Sequence, residues 1–164
     1  MKHFLSAVIL TALLFLYPAD SRASCVGLGC TCEVTGGALT FGMYNPLAPG
    51  PLDAVGTVSV RCSALVLGAV VSYDVALSPG LSGVYGARAM QAGGEALSYN
   101  LYLDAARSQV WGDGTGGTGQ AANAYLLDVL FFRVTDFPVY GRLPAGQNAP
   151  AGAYSDTLFA TVIF

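Results

Sequence analysis

Positive charge is what this sequence has least of: its 164 residues include seven Lys or Arg and a single His. Lys2, His3 and Arg22 all fall within the first 23 positions. The remainder contains no Lys and no His, and its cations are Arg61, Arg88, Arg107, Arg133 and Arg142. Five arginines against nine acidic residues leave that part at a formal −4. An acidic, lysine-free surface has no electrostatic reason to bind nucleic acid or anionic lipid. Without His the commonest general base is lost, and without Lys the Schiff-base former. Carboxylate pairs suited to glycoside hydrolysis are not evident, because the acids are scattered one per segment. The composition therefore points away from an enzyme, and no cofactor or metal site is expected.

Long apolar runs are also scarce; the one present is Phe4 to Tyr17, behind the basic start Lys2-His3. It is short for a membrane span, and Ser21-Arg22-Ala23 places small residues where a signal peptidase reads. A lipoprotein anchor at Cys25 competes, but Arg22 stands where such a signal wants an aliphatic residue. The expectation is an export signal over 1–23 and one domain over 24–164 with no membrane span. That size suits a single core.

Four cysteines follow the signal: Cys25, Cys30, Cys32 and Cys62. An even count in an exported chain reads as disulfides. Cys30–Cys32 would close a strained, very short loop, which leaves two pairings open. One is Cys32–Cys62 with Cys25–Cys30; the other is Cys30–Cys62 with Cys25–Cys32. The first is favoured, and its longer bridge closes about thirty residues, worth roughly 3–4 kcal/mol on a chain-entropy model. A zinc site is disfavoured by the absence of a paired CxxC knuckle and by the oxidising compartment.

What the sequence has in quantity is period-two alternation. Cys30–Tyr44 holds two alternating pieces broken by Gly36-Gly37, which reads as a bulge or a switch of sheet. Asn45–Pro51, with three prolines, admits no helix. Val55–Cys62 alternates with Val58, Val60 and Cys62 inward, and Ala69–Leu77 is the next strand. A short strand fits near Arg88–Met90, and Glu95–Asp104 places Leu97, Tyr99, Leu101 and Leu103 on one face. Gly112–Gly119 is too glycine-rich for regular structure. Tyr125–Tyr140 reads as one or two buried strands, with a helical turn near Leu126–Leu130 as the alternative, and Gly141–Ala153 as a loop. The last stretch, Tyr154–Phe164, sets Leu158, Ala160, Val162 and Phe164 on one face and Thr157, Phe159, Thr161 and Ile163 on the other. With apolar residues on both faces, it is expected inside a packed sandwich. It is the last stretch of the sequence, and the strand beside it is expected from earlier in the chain or from another protein. Six to seven strands without helical period indicate an all-β sandwich, at the edge of an incomplete immunoglobulin-like fold.

Six pieces, in order, carry a specific resemblance. They are Cys32 leading into FGMYNP (Phe41–Pro46), GTVSVRC (Gly56–Cys62), LSYNLYLD (Leu97–Asp104), WGDGT (Trp111–Thr115), VYGRLPAGQ (Val139–Gln147) and AGAYSDTLFATVIF (Ala151–Phe164). The chain resembles the spore coat protein U family, subunits of Csu-type (archaic) chaperone–usher pili. The resemblance implies an immunoglobulin-like domain lacking its final strand, with a groove beside Leu158, Ala160, Val162 and Phe164. A periplasmic chaperone would fill that groove in transit, and at the outer-membrane usher a neighbouring subunit's N-terminal strand would replace it. Such exchange is a form of strand addition to a sheet edge. The expected destination is the cell surface, with attachment or biofilm formation as the outcome.

One feature departs from that pattern. Ser24–Thr31 has two Cys, two Gly and only Val26 and Leu28 as apolar knobs, a poor strand to donate. A terminal or tip subunit is therefore expected, and a coat or matrix protein that never meets an usher is the alternative. A tip domain binding glycans or abiotic surfaces through the Gly-rich and Tyr125–Pro138 segments is another. Trp111–Thr115 reads as a turn anchored by a partly buried Trp in preference to a calcium loop, because Asp113 lacks companion carboxylates. Tyr44, Tyr99, Tyr102 and Tyr140 read as packing before they read as a binding face. Asp156 is placed to cap the turn into the last strand.

Overall fold

The computed structural model describes residues 24–65, 67–127 and 132–164. The expected export signal lies outside the described residues, as do positions 128–130 of the alternative helical turn; Leu126 and Leu127 belong to a strand. The described residues form ten strands, against six to seven expected, and one single-turn 3-10 segment at Tyr85–Ala87. Among them no helix is long and apolar enough to cross a membrane.

Strands β1 (Ser24–Val26), β2 (Thr31–Gly36), β3 (Leu52–Ser63) and β4 (Ala69–Leu77) come first. They are followed by β5 (Ala89–Ala92), β6 (Glu95–Ser98), β7 (Asn100–Tyr102), β8 (Ala121–Leu127), β9 (Arg133–Leu143) and β10 (Ala160–Ile163). One sheet has the order β2-β3-β9-β7, all antiparallel, and its spine is the β3–β9 pair, matched from Leu52↔Leu143 to Cys62↔Arg133. The other is built on β4, which pairs with β8, β1 and β10. Hairpin β5–β6 stands apart from both.

The core is made by the alternation visible in the sequence. Val58, Val60 and Cys62 of β3 point inward and meet Val71, Tyr73 and Val75 of β4. Trp111 is fully buried, not partly, and its Nε1–H donates to the Val75 carbonyl at 2.8 Å. Tyr73, Trp111 and Phe137 pack edge to face with centroids 6.2–6.4 Å apart, the arrangement that ring quadrupoles favour. Cys32 is bonded to Cys62, directly opposed in the β2–β3 register, and Cys25 to Cys30.

Several expectations are corrected. Glu95–Asp104 is not one strand: its shared inward face is real, but β6 pairs with β5 and β7 with β9. The expected loop from Gly141 begins later, because β9 continues pairing to Leu143. The second half of Cys30–Tyr44 is not a strand; after Gly36 the chain runs to Tyr44 without a ladder partner. The last strand is shorter than Tyr154–Phe164, and its outer face is not packed. Phe159 is 73% exposed and Ile163 42%, while Leu158, Ala160 and Val162 lie half-buried against the core. Phe164, expected on that inner face, is 48% exposed because it lies past the end of β10. Apolar content on both faces does not bury both faces when no second layer covers one of them.

Candidate strand-accepting groove

Between the unpaired segment 37–44 and the run 149–160 lies a groove of about 1080 Å³. That is just above the range of pockets for drug-sized ligands, about 300–1,000 Å³, and the two bordering stretches are continuous runs of chain. Its floor is core: Val58, Leu77, Leu97, Tyr99, Leu101 and Leu143.

One wall is segment 37–44. Leu39 and Phe41 turn inward, whereas Thr40 and Met43 are exposed, Met43 to 94%. The inward pair is seated by glycines on β3 and β9. A Cβ at Gly56 would stand 3.1 Å from Leu39 Cβ, and one at Gly141 would stand 2.7 Å from Phe41 Cζ. Phe41 then meets Tyr99 edge to face at 5.9 Å. At the far end Tyr44 donates its hydroxyl to the Pro144 carbonyl (3.1 Å) and accepts from Gln147 N–H (2.8 Å). Gln147 in turn pairs its side-chain amide with both backbone groups of Ser98, at 2.7 and 2.8 Å. Backbone–backbone hydrogen bonds of residues 37–44 are absent among the described residues.

The opposite wall is fixed by polar contacts from Ser155 to Phe159. Asp156 Oδ1 accepts from Leu81 N–H (2.9 Å) and Thr157 N–H (2.7 Å), and Oδ2 from the Tyr99 hydroxyl (2.7 Å). Asp156 thus caps the turn, as its position suggested, and also binds two distant segments. Gly80, at φ +73°, lies so close to the Asp156 carboxylate that no side chain fits there. Burial, and then the Asp156 hydrogen bond, push the Tyr99 phenol well above its usual range. Ser78 N–H donates to the Phe159 carbonyl (2.9 Å), and Phe159 N–H donates back to Ser78 Oγ (2.9 Å). Ser155 and Gln91 exchange backbone bonds at 2.9 and 3.1 Å.

Behind this wall sits Arg88, fully buried. Its guanidinium donates to the carbonyls of Ser78 (2.8 Å) and Trp111 (2.7 Å) and to Asn100 Oδ1 (2.9 Å). Burial draws its pKa down, partly offset by Tyr99, Tyr85 and Asp156. Nothing in the local pattern marks Arg88 as buried; its only signal is that a lone cation stands amid Gly and Ala.

The expected site residues are divided by the structure. Leu158 and Ala160 line the groove. Val162 packs on the core beyond it, and Phe164 is half-exposed. Among the described residues β10 pairs only with β4; its other edge has no ladder partner, and β2 lies close beside it. The four tyrosines do not form one face: Tyr44 and Tyr99 belong to the groove, whereas Tyr102 and Tyr140 oppose one another on β7 and β9. In the turn after Trp111, Asp113 Oδ1 accepts from Thr115 N–H and Oγ1, at 2.9 and 2.6 Å.

Comparison with known proteins bears on this arrangement. The Spore Coat Protein U domain matches residues 23–161. Protein U of Myxococcus xanthus is 33% identical over 184 aligned residues, spanning 100% of this chain and 98% of that protein. Among solved structures, a similar fold occurs in the CsuC–CsuE chaperone–tip adhesion subunit pre-assembly complex from archaic chaperone–usher Csu pili of Acinetobacter baumannii. The TM-score is 0.53 at 22% identity, covering 82% of this chain; the chain spans 40% of the length of its counterpart.

Proposed function

We propose a function from one premise: the chain belongs to the Spore Coat Protein U domain family. It acts as a structural subunit of a secreted chaperone–usher fibre, receiving an extended strand from another chain into the groove between 37–44 and 149–160. A periplasmic chaperone supplies that strand in transit, and a neighbouring subunit supplies it at the outer-membrane usher and in the surface fibre. The observation that carries this reading is a groove with a core-like floor and, on each side, a backbone border without a ladder partner: segment 37–44 and the outer edge of β10. A strand laid there gains main-chain hydrogen bonds from its edges and buries alternate side chains on the floor. Each apolar side chain so buried contributes about 1.5–3 kcal/mol before the cost of ordering the strand.

A terminal position in the fibre is supported by the N-terminal segment. Ser24–Val26 is paired to the chain's own β4 and is clipped by Cys25–Cys30, so these residues are engaged at home.

Ala160→Asp tests the groove directly, because a carboxylate facing its floor costs several kcal/mol unless it is paired. The exported chain is expected to copurify with a chaperone cross-linked between 37–44 and β10, and A160D to lose that cross-link while remaining folded. Recovery of the unaltered chain as a soluble monomer, with the amides of 37–44 already protected from exchange, would overturn the reading.

A further inference from the structure

Registers on β4 place two strands on one track. Residues 69–75 of β4 pair with β8 on one side. Residues 70–72 also pair with β1, and 74–77 with β10, so both must lie on the other side. Ser24 stands opposite Ser72 and Ile163 opposite Asp74, leaving only Tyr73 between them. Strands β1 and β10 are therefore end to end and both run antiparallel to β4. Their outer edges form one line, interrupted by a single residue step. Neither pairs outward among the described residues.

We infer that the strand-accepting edge is bipartite: an incoming strand that pairs with β10 continues along the outer edge of β1. The inference rests on the groove being a strand-accepting site and adds where that site ends. The N-terminal segment then belongs to the receiving surface of this subunit. Its occupant is an extended strand of another chain, long enough to pass Ile163 and reach Ser24–Val26. The Cys25–Cys30 bridge supports this because it anchors a three-residue strand that its own pairing holds weakly. The connection at 27–30 turns away, with Leu28 accepting from Leu65 N–H at 2.9 Å, and does not fold back over β1 as a further strand.

Two synthetic strands of alternating apolar residues distinguish the possibilities. A short one, about eight residues, spans the edge from Asp156 to Ile163; a long one, about twelve, also reaches β1 at strand spacing. On the exported chain the long peptide is expected to bind about tenfold more tightly, as one or two additional hydrogen bonds allow. Cys25→Ser/Cys30→Ser is expected to remove that advantage and leave the short peptide's affinity unchanged. Equal losses for both peptides, or no loss for the long one, would overturn the bipartite edge. Failure of both peptides to bind the unaltered chain would instead reject the strand-accepting reading itself. A photo-reactive residue in place of Ser24 provides a check that keeps both disulfides. It should cross-link to one end of the long peptide and not to the short one, and cross-linking to neither while both bind would also overturn the inference.

Discussion

The two walls of the groove are built by opposite means. The run Ser155–Phe159 is fixed through polar contacts: three donors on Asp156, a reciprocal pair between Ser78 and Phe159, and another between Ser155 and Gln91. Segment 37–44 has no such framework and is held by Leu39 and Phe41 over Gly56 and Gly141 and by the Tyr44 clamp. On the first wall the backbone groups of Ser155 and Phe159 are bonded inward, whereas those of 37–44 have no backbone partner among the described residues. The same contrast explains why a bonded wall needs a buried cation behind it. Arg88 satisfies carbonyls of the turn and loop that no ladder reaches.

The comparison breaks most severely at Arg88. Replacing it with Ala leaves the Ser78 and Trp111 carbonyls without this donor in the interior and Asn100 Oδ1 with the Leu101 N–H only, and is expected to cost about 3–5 kcal/mol. Urea unfolding should report that loss, and the amide of Phe159 should lose its exchange protection. A change under about 1 kcal/mol would mean the fixed wall does not depend on this cation.

The compliant wall is probed by Gly141→Ala. A methyl 2.7 Å from Phe41 Cζ displaces the ring from its seat, and overpacking of this kind costs about 1–3 kcal/mol. Exchange at 37–44 should be little altered, because those amides are open already, whereas Phe159 should stay protected. Loss of protection at both walls would show that they are one unit.

The smallest effect sharpens the contrast through pH. Tyr99→Phe removes the hydroxyl donated to Asp156 and is expected to cost about 1.5–2 kcal/mol at neutral pH. Burial, and then Asp156, raise the folded-state pKa of Tyr99. Its stabilisation is therefore complete below the unfolded value, about 10, and is lost as pH rises beyond it toward the folded value. Stability of the unaltered chain should fall between about pH 10 and 12 by about 1.4 kcal/mol per unit from this group. The alkaline limb of Y99F should be flatter by that amount, and an unchanged slope would remove Tyr99 from the account.

Much of this architecture was legible in the residues. Ala69–Leu77 reads as a strand and is one, and the inward set Val58, Val60 and Cys62 follows from alternation alone. Those signals are local, since period two fixes which side chains share a face. The pairing of FGMYNP with VYGRLPAGQ was visible as two motifs, but not as Tyr44 clamped to Gln147 across 103 positions. Segment 38–44 alternates like a strand yet has no partner, because alternation reports a face and says nothing about who pairs with the edge. Phe159 and Ile163 show the same gap: their apolarity suggested packing, and exposure depends on whether another layer arrives.

By itself the sequence determined the all-β class and the inward faces of β3 and β4, and it narrowed the four cysteines to two pairings, since these depend on side-chain periodicity and spacing along one chain. The structure chose Cys32–Cys62 with Cys25–Cys30. The tertiary structure alone decided that β1 and β10 share one edge of β4, that Arg88 is buried behind the groove wall, and that segment 37–44 stays unpaired. Each of those depends on backbone groups from remote positions meeting or failing to meet. Hydrogen bonds between remote strands leave no mark on the local order of residues.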